Sequence, residues 1–127
     1  MAWEFENDRP IYTQLLEMIQ MMIIAGRYRS GDKIPPVREL SVEAGVNPNT
    51  MQRALQELER LGLLCVNRTA GRTVTEDTAL IEKIREQKAL DYTGRYLLDM
   101  RRLGYDRQAV MTLLHSEMEK ADGGSRL

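Results

Sequence analysis

Asn47-Pro48-Asn49-Thr50-Met51-Gln52-Arg53-Ala54-Leu55-Gln56-Glu57-Leu58-Glu59-Arg60-Leu61 carries two messages in one segment. Met51, Ala54, Leu55, Leu58 and Leu61 recur at helical spacing and form a single apolar stripe. Asn47 is a good N-cap, Pro48 suits the first helical position, and Gly62 supplies the stop. The opposite face holds Asn49, Thr50, Gln52, Arg53, Gln56 and Arg60, every one a hydrogen-bonding side chain. Amides and guanidinium groups are the side chains that make paired hydrogen bonds to adenine and guanine edges in a major groove. A solvated face of an ordinary helix is the plainer reading, but it is rarely so rich in uncharged amides beside Arg.

Upstream, Val37 to Ala44 reads as a short helix with Val37, Leu40 and Ala44 turned inward and Gly45 at its end. Two helices joined by so short a turn make a helix-turn-helix arrangement. Before it, Ser30 to Pro36 holds Gly31, Pro35 and Pro36 and reads as an extended connector. Earlier still, a helix begins at Pro10, with Ile11, Leu15, Met18, Ile19, Met22 and Ile23 as its apolar stripe, and stops at Ala25-Gly26.

Downstream, the period changes. Leu63-Leu64-Cys65-Val66 is a short apolar run, Arg68 to Gly71 a turn, and Thr73-Val74-Thr75 is β-favouring, so two short strands joined by a tight turn are expected. Arg68 and Arg72 flank the turn, and no acidic residue falls between Val66 and Thr75. Such a basic hairpin beside a reading helix suits contact with phosphate or an adjacent minor groove; the plainer role is a charged turn that keeps a sheet edge soluble. Ala79 to Lys120 is helical, broken once at Leu103-Gly104-Tyr105, with Asp106 capping the second half. Ala121 to Leu127 reads as a frayed tail.

These residues carry a family resemblance. Gly31-Asp32-Lys33-Ile34-Pro35-Pro36-Val37-Arg38-Glu39-Leu40-Ser41 resembles the opening of the winged-helix domain of the GntR superfamily. So do Gly45-Val46-Asn47-Pro48-Asn49-Thr50, Arg53-Ala54-Leu55, Glu57-Leu58 and Leu61-Gly62-Leu63. Gly71-Arg72-Thr73-Val74 is similar to its glycine-ended wing, and Pro10-Ile11-Tyr12 to the start of its first helix. The resemblance implies a bacterial transcription factor that binds operators as a dimer. By position it implies DNA contacts from Arg38, Asn49, Thr50, Arg53 and Gly71; Gln52 joins them from the polar helix face, and Arg68 and Arg72 from the basic hairpin. Pro36 departs from the pattern, standing where many members have a Ser that could cap the helix and touch the backbone.

The remaining segment, residues 76–127, resembles the YtrA-like subfamily, whose two C-terminal helices serve mainly in dimerisation. Tyr92, Tyr96, Leu97, Met100 and Leu103, with Val110, Met111, Leu114 and Met118, offer the apolar surface for that interface. The plainer role for these side chains is to complete the monomer's own packing.

Composition narrows the alternatives. The chain has 127 residues, 43% hydrophobic and 29% charged, with a formal net charge of −1. That excludes a uniformly cationic nucleic-acid coat, though not a local basic surface. One Cys, Cys65, excludes an internal disulfide framework and a Cys-rich zinc site, and one His, His115, excludes a multi-His metal site in one chain. No triad spacing or phosphate-binding glycine loop is present, so neither catalytic residues, metal nor cofactor is expected. The apolar run Met21–Ala25 is far too short to span a membrane, and a cytoplasmic protein is expected.

The expectation is a mainly α chain with a small β-hairpin. Residues 1–75 form a winged helix-turn-helix that binds double-stranded DNA, and residues 76–127 a helical dimerisation segment with a frayed tail. The function expected is a homodimeric regulator, a repressor by occlusion of a palindromic operator. Two alternatives are a sensor with a small-molecule effector between the dimer helices, hinted at by Tyr92 and Tyr96, and a winged helix that binds protein instead of DNA.

Overall fold

Element order follows the punctuation of the sequence, in a computed structural model that describes residues 3–124. Helix α1 is Ile11–Ile24, α2 is Val37–Ala44 and α3 is Pro48–Arg60. Strands β1 (Leu64–Asn67) and β2 (Gly71–Val74) form an antiparallel hairpin, followed by α4 (Thr78–Arg102) and α5 (Arg107–Gly124). The chain divides into two compact units, and the first ends at Arg85, inside α4.

The core of the first unit is built from the apolar stripes. Leu15, Ile19 and Ile23 of α1 meet Leu40 and Ala44 of α2 and Met51, Ala54, Leu55 and Leu58 of α3, with Leu63, Leu64 and Val74 closing one side. Ile11, expected in that stripe, is 41% exposed; the first turn of α1 faces the core with Tyr12 and buries Gln14 instead. The first two turns of α4 also belong here, which carries the unit beyond the expected limit at residue 75. Ile81 is buried in the core, and Arg85 donates from Nη2 to the carbonyl of Ile24 at 2.7 Å. That bond satisfies a carbonyl in the last turn of α1.

Residues ahead of α1 are fixed by one buried amide. Gln14 accepts from the Glu6 amide at 2.7 Å and donates to the carbonyls of Glu6 and Arg9, both at 2.9 Å. A buried amide is tolerable only when so satisfied.

The connector does more than connect. Ile34 donates to the Arg72 carbonyl and Val74 to that of Asp32, and Lys33 pairs opposite Thr73. Residues 32–34 thereby cover the free edge of β2.

In the second unit, Gly104 takes a left-handed φ of 93° between the helices, and Asp106 caps α5 by accepting from the Ala109 amide at 2.9 Å. Met100 and Val110 are buried, at 8% and 6% exposure. The tail expected to fray from Ala121 instead continues α5 to Gly124, with Ala121 half-buried. Two glycines cost about 1 kcal/mol each, too little to stop a helix already nucleated over several turns. Residues 125–127 of that expected tail lie outside the described residues.

Candidate nucleic-acid interface

Helix α3 is held rigidly where its polar face begins. The side chain of Asn47 accepts from the Asn49 amide at 2.7 Å, Pro48 opens the helix, and Gly45 turns the chain out of α2 at φ 75°. With Met51, Ala54, Leu55 and Leu58 all buried, the opposite side of α3 is fixed outward. Asn49, Arg53 and Gln56 are exposed there, while Thr50 and Gln52 are half-buried on its flanks. The structure therefore gathers the expected readers on one helix.

Arg38 lies at the start of α2, and the hairpin comes to it. A groove of about 590 Å³ runs between the two, lined by Lys33, Pro36, Val37 and Arg38 on one side and by Val66, Thr69, Gly71 and Arg72 on the other. Pro36 occupies the N-cap of α2 with no side-chain cap bond. At the hairpin tip, Asn67 Oδ1 accepts from the amides of Thr69 and Ala70, shaping the turn, and Arg68 is exposed beside it. Gly71 adopts φ 80°, and a Cβ added there would meet nothing within 4 Å. The backbone conformation, not crowding within the chain, favours glycine.

The cations differ in what already holds them. Arg72 pairs through Nε with Glu59 of α3, both side chains mostly covered, so its charge is spent inside the protein. Arg60 binds Glu57 in a two-bond fork at 2.8 and 2.5 Å, and that hydrogen bonding holds the Glu57 carboxyl below its usual range. Arg53 is stacked, its guanidinium carbon 4.3 Å from the centre of the Tyr12 ring. Among the described residues, Lys33, Arg38, Arg53 and Arg68 make no ion pair. Arg53 on α3, Lys33 and Arg38 along the groove and exposed Arg68 at the hairpin tip are thus uncompensated cations, despite a net charge of −1.

Sequence reasoning missed Lys33, hidden in a stretch read as a connector. No local pattern marks it: Ile34 stands between Lys33 and Pro35, without the alternation that announces a strand. It also missed Tyr12 as a partner of Arg53.

On the second unit, Tyr92, Leu97, Leu103, Met111, Leu114 and Met118 are exposed and Tyr96 half-buried, whereas Met100 and Val110 are already covered. A cleft of about 390 Å³ is lined by Leu97, Arg101, Tyr105, Asp106, Arg107, Val110 and Met111; Tyr92 and Tyr96 lie outside it. His115 sits on the surface of α5 beside Glu119 at 3.2 Å. Among the described residues there is no cluster of three potential metal ligands, and no helix is long and apolar enough to cross a membrane.

The sequence model described as bacterial regulatory proteins, gntR family, matches residues 11–74. YhcF, an HTH-type transcriptional regulator of Bacillus subtilis, is 29% identical over 108 residues, 85% of this chain and 89% of its own. The HTH-type transcriptional repressor YtrA of the same organism is 39% identical over 78 residues, 60% of each chain. A solved GntR family transcriptional regulator from Listeria monocytogenes superposes with a TM-score of 0.83 at 34% identity, over 88% of this chain and 98% of its own.

Proposed function

The chain belongs to the GntR family of DNA-binding transcriptional regulators, and from that premise we propose a YtrA-like homodimeric repressor of a palindromic operator. The observation that carries this reading is the anchored polar face of α3 with exposed Arg53 on it, together with a groove where Lys33 and Arg38, both without an ion pair, face the hairpin. Asn49, Thr50, Gln52 and Arg53 meet base edges in the major groove, because the N-terminal part of such a helix enters it. Arg38, Lys33 and the wing, through Arg68 and the Gly71 backbone, meet phosphates and fix the register.

Dimerisation is supported by the exposed apolar side chains of α4 and α5, among them Tyr92 at 58%, Leu103 at 71% and Met118 at 64%. So many on one helical pair is more than a solvated hairpin needs. Occlusion of the promoter then follows from occupancy alone, with no cofactor, in the cytoplasm where operators lie. A second reading adds an effector: the cleft offers apolar walls, the cations of Arg101 and Arg107 and the Asp106 carboxylate to a small organic molecule.

Genome-wide selection of bound fragments, followed by footprinting, tests the proposal. Protected sites should contain inverted half-sites about one helical turn apart, roughly 34 Å, or a multiple of it. Fragments sharing only single half-sites would remove the symmetric operator. No retention of DNA at low salt would favour a protein-binding winged helix instead.

A further inference from the structure

The cations on α3 and the hairpin have different restraints, and one restraint comes from outside the helix-turn-helix. Arg60 and Arg72 are neutralised by Glu57 and Glu59. Arg53 is held by a ring that leaves its charge intact.

Tyr12 belongs to the first turn of α1 and is half-buried against the core, so its ring has a fixed seat. The guanidinium lies over that ring at 4.3 Å, a distance typical of cation–π attraction. Stacking occupies the flat face of a guanidinium. Its five N–H donors lie along the rim of the group, and among the described residues those of Arg53 make no hydrogen bond or ion pair.

We propose that Tyr12 is a positioning residue for Arg53 in operator readout, an inference that rests on Arg53 being a base contact. A free arginine samples many rotamers and must be ordered when DNA arrives. An arginine already stacked on an anchored ring has lost much of that freedom beforehand, so less of the binding free energy goes into ordering it. The donor edge then meets the groove in one orientation, which favours a paired hydrogen bond to a single guanine over looser contacts. The phenol oxygen has no part in this; the ring face does the holding.

The test is a set of gel-shift titrations on an operator fragment obtained by genome-wide selection and on fragments with each half-site position changed. Tyr12→Phe keeps the ring and should bind within about twofold of the parent. Tyr12→Leu keeps the apolar contact with the core but removes the π face. It should weaken operator binding about three- to fivefold, the range such an attraction supplies at an exposed site. Discrimination should relax at the same base position that Arg53→Ala relaxes. In the double variant Tyr12→Leu/Arg53→Ala, the tyrosine change should have no further effect. Full persistence of the Tyr12→Leu defect without Arg53, or an equal defect on every sequence, would overturn the inference and leave Arg53 as a reader. Parental binding by Arg53→Ala would instead overturn the base-contact reading together with the inference built on it.

Discussion

Glu59 reaches from α3 to take the guanidinium of Arg72 across the hairpin, and the two side chains are only 23% and 19% exposed. Arg68, a few residues earlier, makes no ion pair and stands exposed at the turn. Arginines that look equivalent in the sequence should therefore behave differently. Arg68→Ala should lower specific and non-specific DNA affinity together and reduce the log–log salt slope by about 0.9 for each phosphate the side chain neutralises. Arg72→Ala should leave that slope unchanged and instead lower stability by about 1–2 kcal/mol, between exposed and fully buried pairs. Denaturant unfolding and affinity titrations at several salt concentrations separate the two effects. An Arg72→Ala protein of parental stability and reduced slope would move Arg72 to the DNA. The Arg72 partner was illegible in the sequence because Glu59 and Arg72 meet only once the hairpin has folded over α3. Lys33 was hidden for a related reason, since its place in the groove depends on pairing opposite Thr73.

Helix α3 was legible almost to the residue, because stripe, cap, proline and stop all agree on one answer. Its N-cap is also its most testable part. Asn47→Ala removes the acceptor for the Asn49 amide and should cost about 1 kcal/mol of stability, while Asn47→Asp should restore it. Because Asn49 and Thr50 sit in the turn that would fray, specific affinity should fall with the cap while non-specific affinity holds. Equal stability of the Ala and Asp variants would show that Pro48 alone fixes the start. The connector was less legible: residues 32–34 gain strand character only from the edge of β2, which local propensity cannot reveal. The end of α5 misleads for the opposite reason, since its glycines signal a stop that the helix already running into them overrides. The boundary inside α4 was invisible for the same cause as the connector. Ile81 and Arg85 join the first unit through contacts with the core and with Ile24, not through any local signal.

A single winged helix offers few base contacts, so in the proposed dimer much of the operator affinity comes from joining two of them. Linking the heads makes the second contact intramolecular and raises affinity by ~10²–10⁴ where the geometry allows both. The proposed joint is the exposed apolar face of α4 and α5, and the structure sorts its candidates. Met100 and Val110 are buried within the chain, so changing either to a charged residue would unfold the unit and report nothing about assembly. Leu114 and Met118 lie one turn apart on α5, at 37% and 64% exposure, and can be changed without disturbing the protomer. Burying each at an interface should contribute about 1.5–3 kcal/mol, and an ammonium placed there would be stripped of its hydration without a partner. Leu114→Lys with Met118→Lys should therefore give a monomer with unchanged thermal unfolding of its own fold. Its affinity for the palindrome should fall about a hundredfold or more, while its affinity for an isolated half-site should match the parent's. Sedimentation equilibrium and titrations on both fragments measure the two quantities independently. A double variant that still sediments as a dimer would place the interface elsewhere on the chain. One that is monomeric yet binds the palindrome as tightly as the parent would show that the heads act alone.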